Sequence, residues 1–467
     1  MKKFNYFYPM KSKIFAIFLV FIFILTSGFG CKAPSAEVTQ AAKPITIKYW
    51  RVFEGADAFS EIISKYKALH PYVNIEYKKF RYEEYEKELL NALAEDRGPD
   101  IFSIPSAWIK EYQPKIAPLP DQTLMVYSVT RGTIKKETVQ ELRASKSLTL
   151  KDLKNNFADI VSDDVVMTAD GSQKIYGLPL YMDTLAMFYN RDLLNAAGIA
   201  EVPKYWNKQF QDAVKNLTRQ NSKGNLTQSG VSMGWGENIE RSGDILALLM
   251  MQNGSVMGEN GVVSFHAIPP GSDRSYNPGL EALRFYTDFS NPAKDVYCWN
   301  GDLPNSLDLF ARGSLAITFG YAYHLPIIKA MAPKLNFTVA KMLQIEFNSR
   351  QVNYANYWVE TVSAKSKNVD IAWDFIQFET SVDNVSSYLK ATEKPTALRS
   401  LISQQLDDEE IGPFAEQVLT AKSWYYGKDS RAAEAAFSEM IDSAAKREKD
   451  LSDIITAAAS KVQQTIQ

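Results

Sequence analysis

The stretch from Tyr176 to Gly198 constrains the fold most, because its character changes twice within a short span. The apolar, aromatic run Leu185–Tyr189 predicts a buried strand. Arg191–Ala197 predicts a short helix that stops at Gly198 in the left-handed conformation. Asp183 precedes the strand among apolar neighbours, and a buried carboxylate is costly unless it is paired. Either Asp183 faces water at a strand end, or the chain crosses a cleft between two domains there.

The N-terminal segment predicts export from the cytoplasm. Residues 1–30 contain four lysines and no acid, and the apolar run Ile14–Leu25 is shorter than a membrane span of roughly 20 residues. This pattern is typical of a secretory signal peptide. It ends in TSGFGC, which resembles the lipobox of bacterial lipoproteins and implies a lipid on Cys31. The alternative is plain secretion with a free Cys31. Residues 31–44 predict a flexible tether.

Composition limits the possible functions. A chain of 467 residues, 46% hydrophobic and 23% charged, can form two globular domains. The formal net charge of −2 gives no reason to expect a nucleic-acid partner. Three histidines and two cysteines offer little material for a metal centre, so neither metal nor cofactor is predicted. Cys298 has no partner once Cys31 is modified, and we expect a free thiol there.

Strands and helices alternate after the tether. This order predicts a parallel sheet with right-handed crossovers, in which ligands bind at the carboxyl ends of the strands. Residues 121–175 are polar and weakly patterned, and we predict short helices there at 136–145 and 149–160. The alternating elements are a strand at Ile45–Trp50, a helix at Gly55–His70, a strand at Val73–Tyr77, a helix at Tyr82–Asp96 and a strand at Ile101–Ile104.

No motif indicates catalysis. The chain lacks a nucleophile elbow, a zinc-protease helix, a phosphate loop and a dinucleotide fingerprint, so no catalytic residue is assigned. Aromatic side chains remain at predicted strand ends and in loops, beside a few acids and amides. Aromatic faces stack on sugar rings, and carboxylates or amides bind hydroxyls. The predicted ligand-binding residues are Trp50, Phe53, Glu54, Trp108, Tyr181, Asp183, Trp235, Asn238, Tyr321, Tyr323, Tyr357 and Trp424.

A series of segments in a fixed order resembles the extracellular solute-binding proteins of ABC importers, family 1, in the subclass that includes maltose-binding protein. The resemblance covers roughly residues 45–467 apart from 121–175. The segments are ITIKYW, HPYVNIEY, GPDIFSI, YGLPLYMDTLAMFYNRDLLNAAGI, ARGSLAITFGYAYHLP, YANYWVETVSAKSKNVDIAWDFIQFETS and AKSWYY.

The resemblance implies an α/β fold of the two-lobed, type II-like periplasmic-binding class. Each lobe is expected to hold a mainly parallel sheet flanked by helices, and hinge crossings join the lobes. Lobe 1 is expected to comprise 45–181 and 360–392, and lobe 2 to comprise 182–359 and 393–467. The crossings are expected near Tyr181–Asp183, Tyr354–Val359 and Lys390–Pro395.

The resemblance also implies a function. We expect a monomeric binding protein, not an enzyme, that closes on a sugar or oligosaccharide and delivers it to ABC permease subunits. The lipid on Cys31 would anchor it to the outer face of the cell membrane. Asp183 is expected to bind sugar hydroxyls, while Trp424 and an aromatic of the loop Gly320–Tyr323 stack on rings. A secreted carbohydrate-active hydrolase and a transporter-independent surface sensor or adhesion protein remain alternatives.

Overall fold

The computed structural model describes Met1, Val38 and residues 42–132, 136–348 and 350–466. The predicted signal peptide and the lipidation site Cys31 lie outside these residues. Within the described ranges, no helix has both the length and the apolar character needed to cross a membrane.

The strands are short and are distributed along the whole described chain. In order they are β1 (Ile45–Val52), β2 (Val73–Phe80), β3 (Ile101–Pro105), β4 (Ile116–Ala117), β5 (Gln122–Arg131), β6 (Glu137–Lys146), β7 (Val166–Ala169), β8 (Ser172–Ile175), β9 (Asp183–Thr184), β10 (Ala186–Asn190), β11 (Arg219–Gln220), β12 (Leu226–Val231), β13 (Gly258–Glu259), β14 (Val262–Val263), β15 (Leu315–Gly320), β16 (Phe337–Ala340), β17 (Asn353–Asn356), β18 (Trp358–Ser363) and β19 (Ala421–Lys422).

Helices connect most of these strands, and two longer helices end the chain. In order they are α1 (Ser60–Leu69), α2 (Tyr82–Ala94), α3 (Ile109–Tyr112), α4 (Leu150–Asn156), α5 (Asp159–Val165), α6 (Arg191–Ala196), α7 (Lys208–Leu217), α8 (Ser242–Gln252), α9 (Pro278–Asp288), α10 (Ser306–Ala311), α11 (His324–Met331), α12 (Val369–Glu379), α13 (Val382–Thr392), α14 (Arg399–Gln405), α15 (Gly412–Gln417), α16 (Ser430–Lys446) and α17 (Leu451–Ile466).

The first sheet has the strand order β2-β1-β3-β18-β4. β1 pairs in parallel with β2 and β3, whereas β18 runs antiparallel to β3 and β4. Helices α1 and α2 are amphipathic, and each turns an apolar face inward, with Tyr66 and Leu89 fully buried. The predicted strand–helix alternation is therefore confirmed in this part of the chain.

The second sheet has the order β11-β12-β15-β10-β16. β12 and β15 are parallel, but β10 runs antiparallel to both β15 and β16, and β11 antiparallel to β12. The α/β class is as predicted, whereas a mainly parallel second sheet is wrong. Strand β10 follows the crossing directly, and its first residue, Ala186, pairs with Gly320, the last residue of β15. This register makes β10 antiparallel to β15.

Two hydrophobic cores divide the described residues, one around each large sheet. Met182 belongs to the first core and Leu185 to the second, so the chain passes between the cores at Asp183. Asp183 is only 2% exposed, which excludes the solvated strand end as its setting. Strand β9, which begins at Asp183, pairs with β17, and β17 pairs with β19.

The chain passes between the cores at further points. It returns to the first core between Val352 and Ala355, close to the expected second crossing. The next passage falls after Ile402 rather than near Lys390–Pro395, because the side chains of 397–402 pack in the first core. Residues 390–392 continue helix α13.

Residues 121–175 depart from the prediction. The segment predicted as a helix at 136–145 is strand β6, which pairs with β5 from Gln122↔Lys146 to Arg131↔Glu137. The spacing of charged side chains along this segment is compatible with a helix or with a strand. Pairing with β5 stabilises the extended form. The region predicted as one helix at 149–160 contains α4 and the beginning of α5.

Candidate functional site

A cavity of about 1400 Å³ lies between the two cores. Its walls on one side are the carboxyl ends of β1 and β3 and the beginning of α2. On the other side they are the beginnings of α8, α11 and α16. The first wall agrees with the rule that ligands bind at the carboxyl ends of parallel strands.

The structure brings part of the predicted ligand-binding set together at this cavity. The predicted residues that line it are Phe53, Glu54, Trp108, Tyr181, Asp183, Tyr323 and Trp424. The predicted residues that do not line it are Trp50, Trp235, Asn238, Tyr321 and Tyr357.

Trp50, Trp235 and Asn238 lie behind the cavity walls because they pack on, or hydrogen-bond, other parts of the protein. Trp50 packs on Phe80, with ring centroids 4.6 Å apart, and Trp235 covers Gly301, where a Cβ atom would meet its ring at 2.7 Å. The Asn238 amide donates to two backbone carbonyls and its oxygen accepts from Trp299. Aromatic or amide character beside a turn therefore did not separate wall residues from packing residues.

Tyr321 and Tyr357 are the other two corrections. Both are almost completely buried, and each hydroxyl donates to a buried aspartate: Tyr321 to Asp244 at 2.6 Å and Tyr357 to Asp164 at 2.6 Å. They support cavity residues from behind. The acceptors Asp244 and Asp164 do line the cavity, and the sequence prediction missed both.

Asp183 joins the crossing to the loop that precedes α11. Its Oδ1 accepts the backbone N–H groups of Ala322 at 2.9 Å and Thr184 at 3.0 Å, and its Oδ2 accepts that of Tyr323 at 3.3 Å. Burial raises the pKa of Asp183 to about 7, although these backbone donors and Lys394 pull in the opposite direction. Most of its acceptor capacity is thus used inside the protein.

Glu54, Lys394 and Tyr181 form a charged corner of the cavity. The Glu54 carboxylate bonds both Arg51, at 3.1 Å, and Lys394, and the Lys394 ammonium lies 3.9 Å from the centroid of the Tyr181 ring. Burial alone would raise the pKa of Glu54, but the two cations hold it below its ordinary value. Lys394 was missed by sequence reasoning, since its partners are distant along the chain.

A buried carboxylate pair supports this corner from inside the first lobe. Glu360 accepts hydrogen bonds from Tyr49 at 2.7 Å and Ser103 at 2.5 Å, and it forms an ion pair with Arg51 at 2.8 Å. Burial, reinforced by Glu360, raises the pKa of Glu379 well above its ordinary value. Arg51 therefore has fixed partners on both sides, which orients the loop that carries Glu54.

An aromatic lip borders the cavity on the first-lobe side. Phe53 has φ 75°, an uncommon left-handed conformation for a bulky residue, and the residue is 46% exposed. Tyr82, 49% exposed, stacks beside it with ring centroids 6.1 Å apart, and Trp358 meets Phe53 edge-on at 5.3 Å. The predicted ligand-binding residues did not include Tyr82 or Trp358, although each closely follows a strand, β2 and β17 respectively.

The opposite wall combines charge and aromatic faces. Arg241, which has φ 58°, forms an ion pair with Asp244 at 2.6 Å, and its guanidinium lies over the Tyr321 ring at 5.7 Å. Tyr323 stacks on Tyr321 at 5.6 Å and keeps 37% of its surface exposed. Arg241 and Asp244 are three residues apart at the start of α8, a spacing at which side chains of a helix can pair. The sequence prediction included neither residue.

The two walls touch at one edge of the cavity. The Trp108 indole N–H donates to Ser430 at 2.9 Å. Arg431 forms an ion pair with Glu86 at 2.5 Å, and its guanidinium lies 5.6 Å from the Trp108 ring. Helix α16 of the second core is therefore held against α2 and the turn that follows β3 of the first core across this edge.

The acidic residues of the cavity do not converge on a metal position. Among the residues that the structure describes, no group of three His, Cys, Asp or Glu side chains could hold a metal ion. The cavity can instead offer hydrogen bonds beside aromatic faces.

Comparisons with known proteins support a binding role for this architecture. The family model described as bacterial extracellular solute-binding protein matches residues 54–385. A galactooligosaccharide-binding protein of Bacillus subtilis (strain 168) is 19% identical over 380 residues, which is 79% of this chain and 76% of that protein.

Solved structures confirm the two-lobed α/β fold. The cyclic alpha-maltosyl-1,6-maltose binding protein from Arthrobacter globiformis is similar with a TM-score of 0.69 at 18% identity, over 90% of this chain and 99% of that one. The maltose-binding protein MalE from Listeria monocytogenes, in complex with maltose, is similar with a TM-score of 0.64 at 17% identity, over 90% and 97%.

Proposed function

The chain belongs to the bacterial extracellular solute-binding protein family, and we propose that it binds a sugar or oligosaccharide between its lobes for an ABC importer. The matching family and the structural relatives are binding proteins. The sugar-binding names of those relatives agree with this ligand class. The ligand is delivered to membrane permease subunits after the lobes close on it.

One observation carries the proposal: exposed aromatic faces border both sides of the interlobe cavity. Phe53 and Tyr82 present theirs on the first lobe, and Tyr323 presents its own on the second. These rings remain accessible although each lobe has a complete core of its own. Aromatic faces in a cavity of this size suit the C–H faces of sugar rings.

Two ion pairs in the cavity wall are compatible with an uncharged, hydroxyl-rich ligand. Glu54 is paired with Lys394, and Arg241 is paired with Asp244. Such pairs satisfy each other's charge and still keep lone pairs and N–H groups for hydroxyls. A neutral sugar can use these groups without bringing an unpaired charge into the site.

The division into lobes follows the two cores. The first lobe comprises 45–182 and 355–402, and the second comprises 185–352 and most of 411–466. The passages between the cores serve as the hinge, with β9, β17 and β19 side by side. These boundaries differ from the expected ones mainly because side chains of 355–359 and 397–402, which were expected in the second lobe, pack with the first core. Closure about such a hinge changes few residues.

The location follows from the N-terminal sequence. A signal peptide at 1–30, a lipid on Cys31 and a tether through residue 44 hold the monomer on the outer face of the cell membrane. In this position the cavity meets solutes outside the cell and remains within reach of the permease.

A ligand screen tests the proposal. The mature protein is screened by thermal shift against neutral mono- and oligosaccharides and against amino acids, peptides and polyamines. A ligand at 100 times its dissociation constant adds about 2.7 kcal/mol of stability, which is readily measured. We expect stabilisation by saccharides only, and stabilisation by another class alone would overturn the sugar assignment.

Matched variants locate the site. Tyr323→Ala removes a ring from the cavity wall, whereas Tyr276→Ala removes a ring that is 45% exposed outside the cavity. The first variant should lower the affinity about tenfold and the second should leave it unchanged. Equal affinities would place the ligand elsewhere.

A further inference from the structure

Asp164 lies where two passages of the chain meet the first lobe. It belongs to helix α5, between Val161 and Val165 of the first core, and it is 7% exposed. It lines the main cavity and a side pocket of about 300 Å³ that adjoins it. The proposed contacts with the ligand do not involve this carboxylate.

The carboxylate of Asp164 has hydroxyl partners on both passages. Its Oδ2 accepts from Tyr357, between β17 and β18, at 2.6 Å. Its Oδ1 accepts from Ser423, which follows β19, at 2.5 Å. The Tyr426 hydroxyl also hydrogen-bonds the carboxylate and lies 3.2 Å from the Ser423 hydroxyl. One acid of the first lobe therefore fixes both ends of the segment Ser423–Tyr426.

That segment carries Trp424, an aromatic wall residue of the cavity. The Trp424 ring packs on Phe437 of the second core, with centroids 5.1 Å apart, and meets Phe265 edge-on at 6.2 Å. The Trp424 ring and its neighbour Tyr425 thus pack with the second core, while Ser423 and Tyr426 on either side are held by Asp164 of the first lobe. A change at Asp164 would reach the ligand through this ring.

We propose that Asp164 is a positioning residue whose ionised carboxylate holds the segment Ser423–Tyr426 and so orients Trp424 toward the bound ligand. The inference rests on the proposed function for its ligand. The affinity for that ligand then depends on the charge of a side chain that need not touch it.

The surroundings of Asp164 shift its pKa into a range in which ligand binding can be measured on both sides of the transition. Burial raises the pKa of Asp164 to about 6, the hydroxyls of Ser423, Tyr357 and Tyr426 lower it in part, and Asp163 raises it further. Asp163 and Lys110 are the other charged residues that line the adjoining pocket. Protonation replaces charge-assisted hydrogen bonds with neutral ones of about half the strength. The hold on the segment is therefore strong above pH 6 and weak below it.

A titration of the free protein tests the coupling without any ligand. The protein is labelled with 5-fluorotryptophan, and the Trp424 resonance is assigned by its loss in Trp424→Phe. We expect this ¹⁹F resonance to shift with a midpoint near pH 6 in the wild type. The control Asp163→Asn, which alters an exposed neighbour, should keep the transition with a slightly lower midpoint, because the charge of Asp163 raises the pKa of Asp164. The transition should be absent in Asp164→Asn. A Trp424 resonance that titrates identically in Asp164→Asn would overturn the inference.

Affinity measurements test the consequence. Neutral malto- and galacto-oligosaccharides of two to four rings are titrated by calorimetry at pH 5 and pH 7.5. From pH 7.5 to pH 5 we expect the wild-type affinity to fall three- to tenfold, beyond any change shared with Asp164→Asn. Asp183 contributes equally to both proteins, so the difference between them reports Asp164.

A second variant keeps the test decisive if Asp164→Asn folds poorly. Ser423→Ala removes one hydroxyl from the segment and leaves the buried acid in place. It should weaken binding at pH 7.5 and reduce the dependence on pH. Coupling in the fluorine titration with an unchanged affinity profile would contradict the positioning role. Failure of every saccharide to bind would refute the proposed function instead, and the fluorine titration would still decide whether Asp164 holds Trp424.

Discussion

Asp183→Asn removes the charge at the crossing while it preserves the shape of the side chain. In the wild type the carboxylate accepts three backbone N–H groups, from Thr184, Ala322 and Tyr323. An asparagine has one oxygen and directs its NH₂ group at a donor on the other side. At least one buried N–H group therefore loses its partner, which costs about 1–3 kcal/mol.

The pKa of Asp183 determines how that cost varies with pH. The pKa is about 7 in the folded protein, against 3.8 for an ordinary aspartate, mainly because of burial. The folded state therefore binds the proton more tightly than the unfolded state. The stability contributed by this group is greatest at low pH and falls as the pH rises from about 4 to about 7. Between pH 5 and pH 8 the wild type should lose about 2–3 kcal/mol through Asp183.

The assay is urea unfolding of the ligand-free wild type and Asp183→Asn at pH 5 and pH 8, with the exposed Asp407→Asn as a control. The stability of the wild type relative to the variant should fall by about 2–3 kcal/mol from pH 5, where the carboxyl group is protonated, to pH 8, where it is ionised, because the amide of the variant does not titrate. The control should follow the wild type at both values. A constant difference between wild type and variant across this range would refute the argument that Asp183 is buried and titrates near neutrality.

Trp424→Ala should cost about 1.5–2.5 kcal/mol in urea unfolding, about half the cost at a fully buried site, and should weaken ligand binding about tenfold; unchanged binding would remove Trp424 from the site. Burial raises the pKa of the Cys298 thiol to about 12, so thiol reagents at pH 8 should label the protein only after denaturation, and fast labelling of the native protein would contradict this. Cys31→Ser should release the protein from the membrane fraction or block its processing, whereas normal processing with full membrane retention would exclude the lipid anchor.

Helices and strands were predicted most accurately where the apolar residues follow a single helical or strand pattern. Helices α1 and α2 and strand β10 fall within a few residues of their predicted bounds, because their apolar residues repeat clearly. Strand β6 was misassigned because its stability comes from β5, with which it forms a ladder that no local pattern reveals. The direction of β10 was likewise decided by β15, which follows it by more than a hundred residues.

The candidate site was predicted in part for a similar reason. Residues at the carboxyl ends of strands, such as Phe53 and Glu54, could be placed because the sheet rule applies to them directly. Lys394 and Asp164 could not, since their partners lie far away in the chain and become neighbours only in the folded protein. Tyr321 was misplaced because its ring stacks behind that of Tyr323, so only Tyr323 reaches the cavity.

Calorimetric titration of neutral oligosaccharides into the wild type and the double variant Phe53→Ala/Tyr82→Ala tests the central claim most directly. The two rings form the exposed lip of the cavity and contribute little to either core. We predict saturable one-to-one binding to the wild type and at least a tenfold loss in the double variant, with unfolding of the ligand-free variant nearly unchanged. Absence of binding by every saccharide, or equal affinity of the wild type and the double variant, would contradict sugar capture in this cavity.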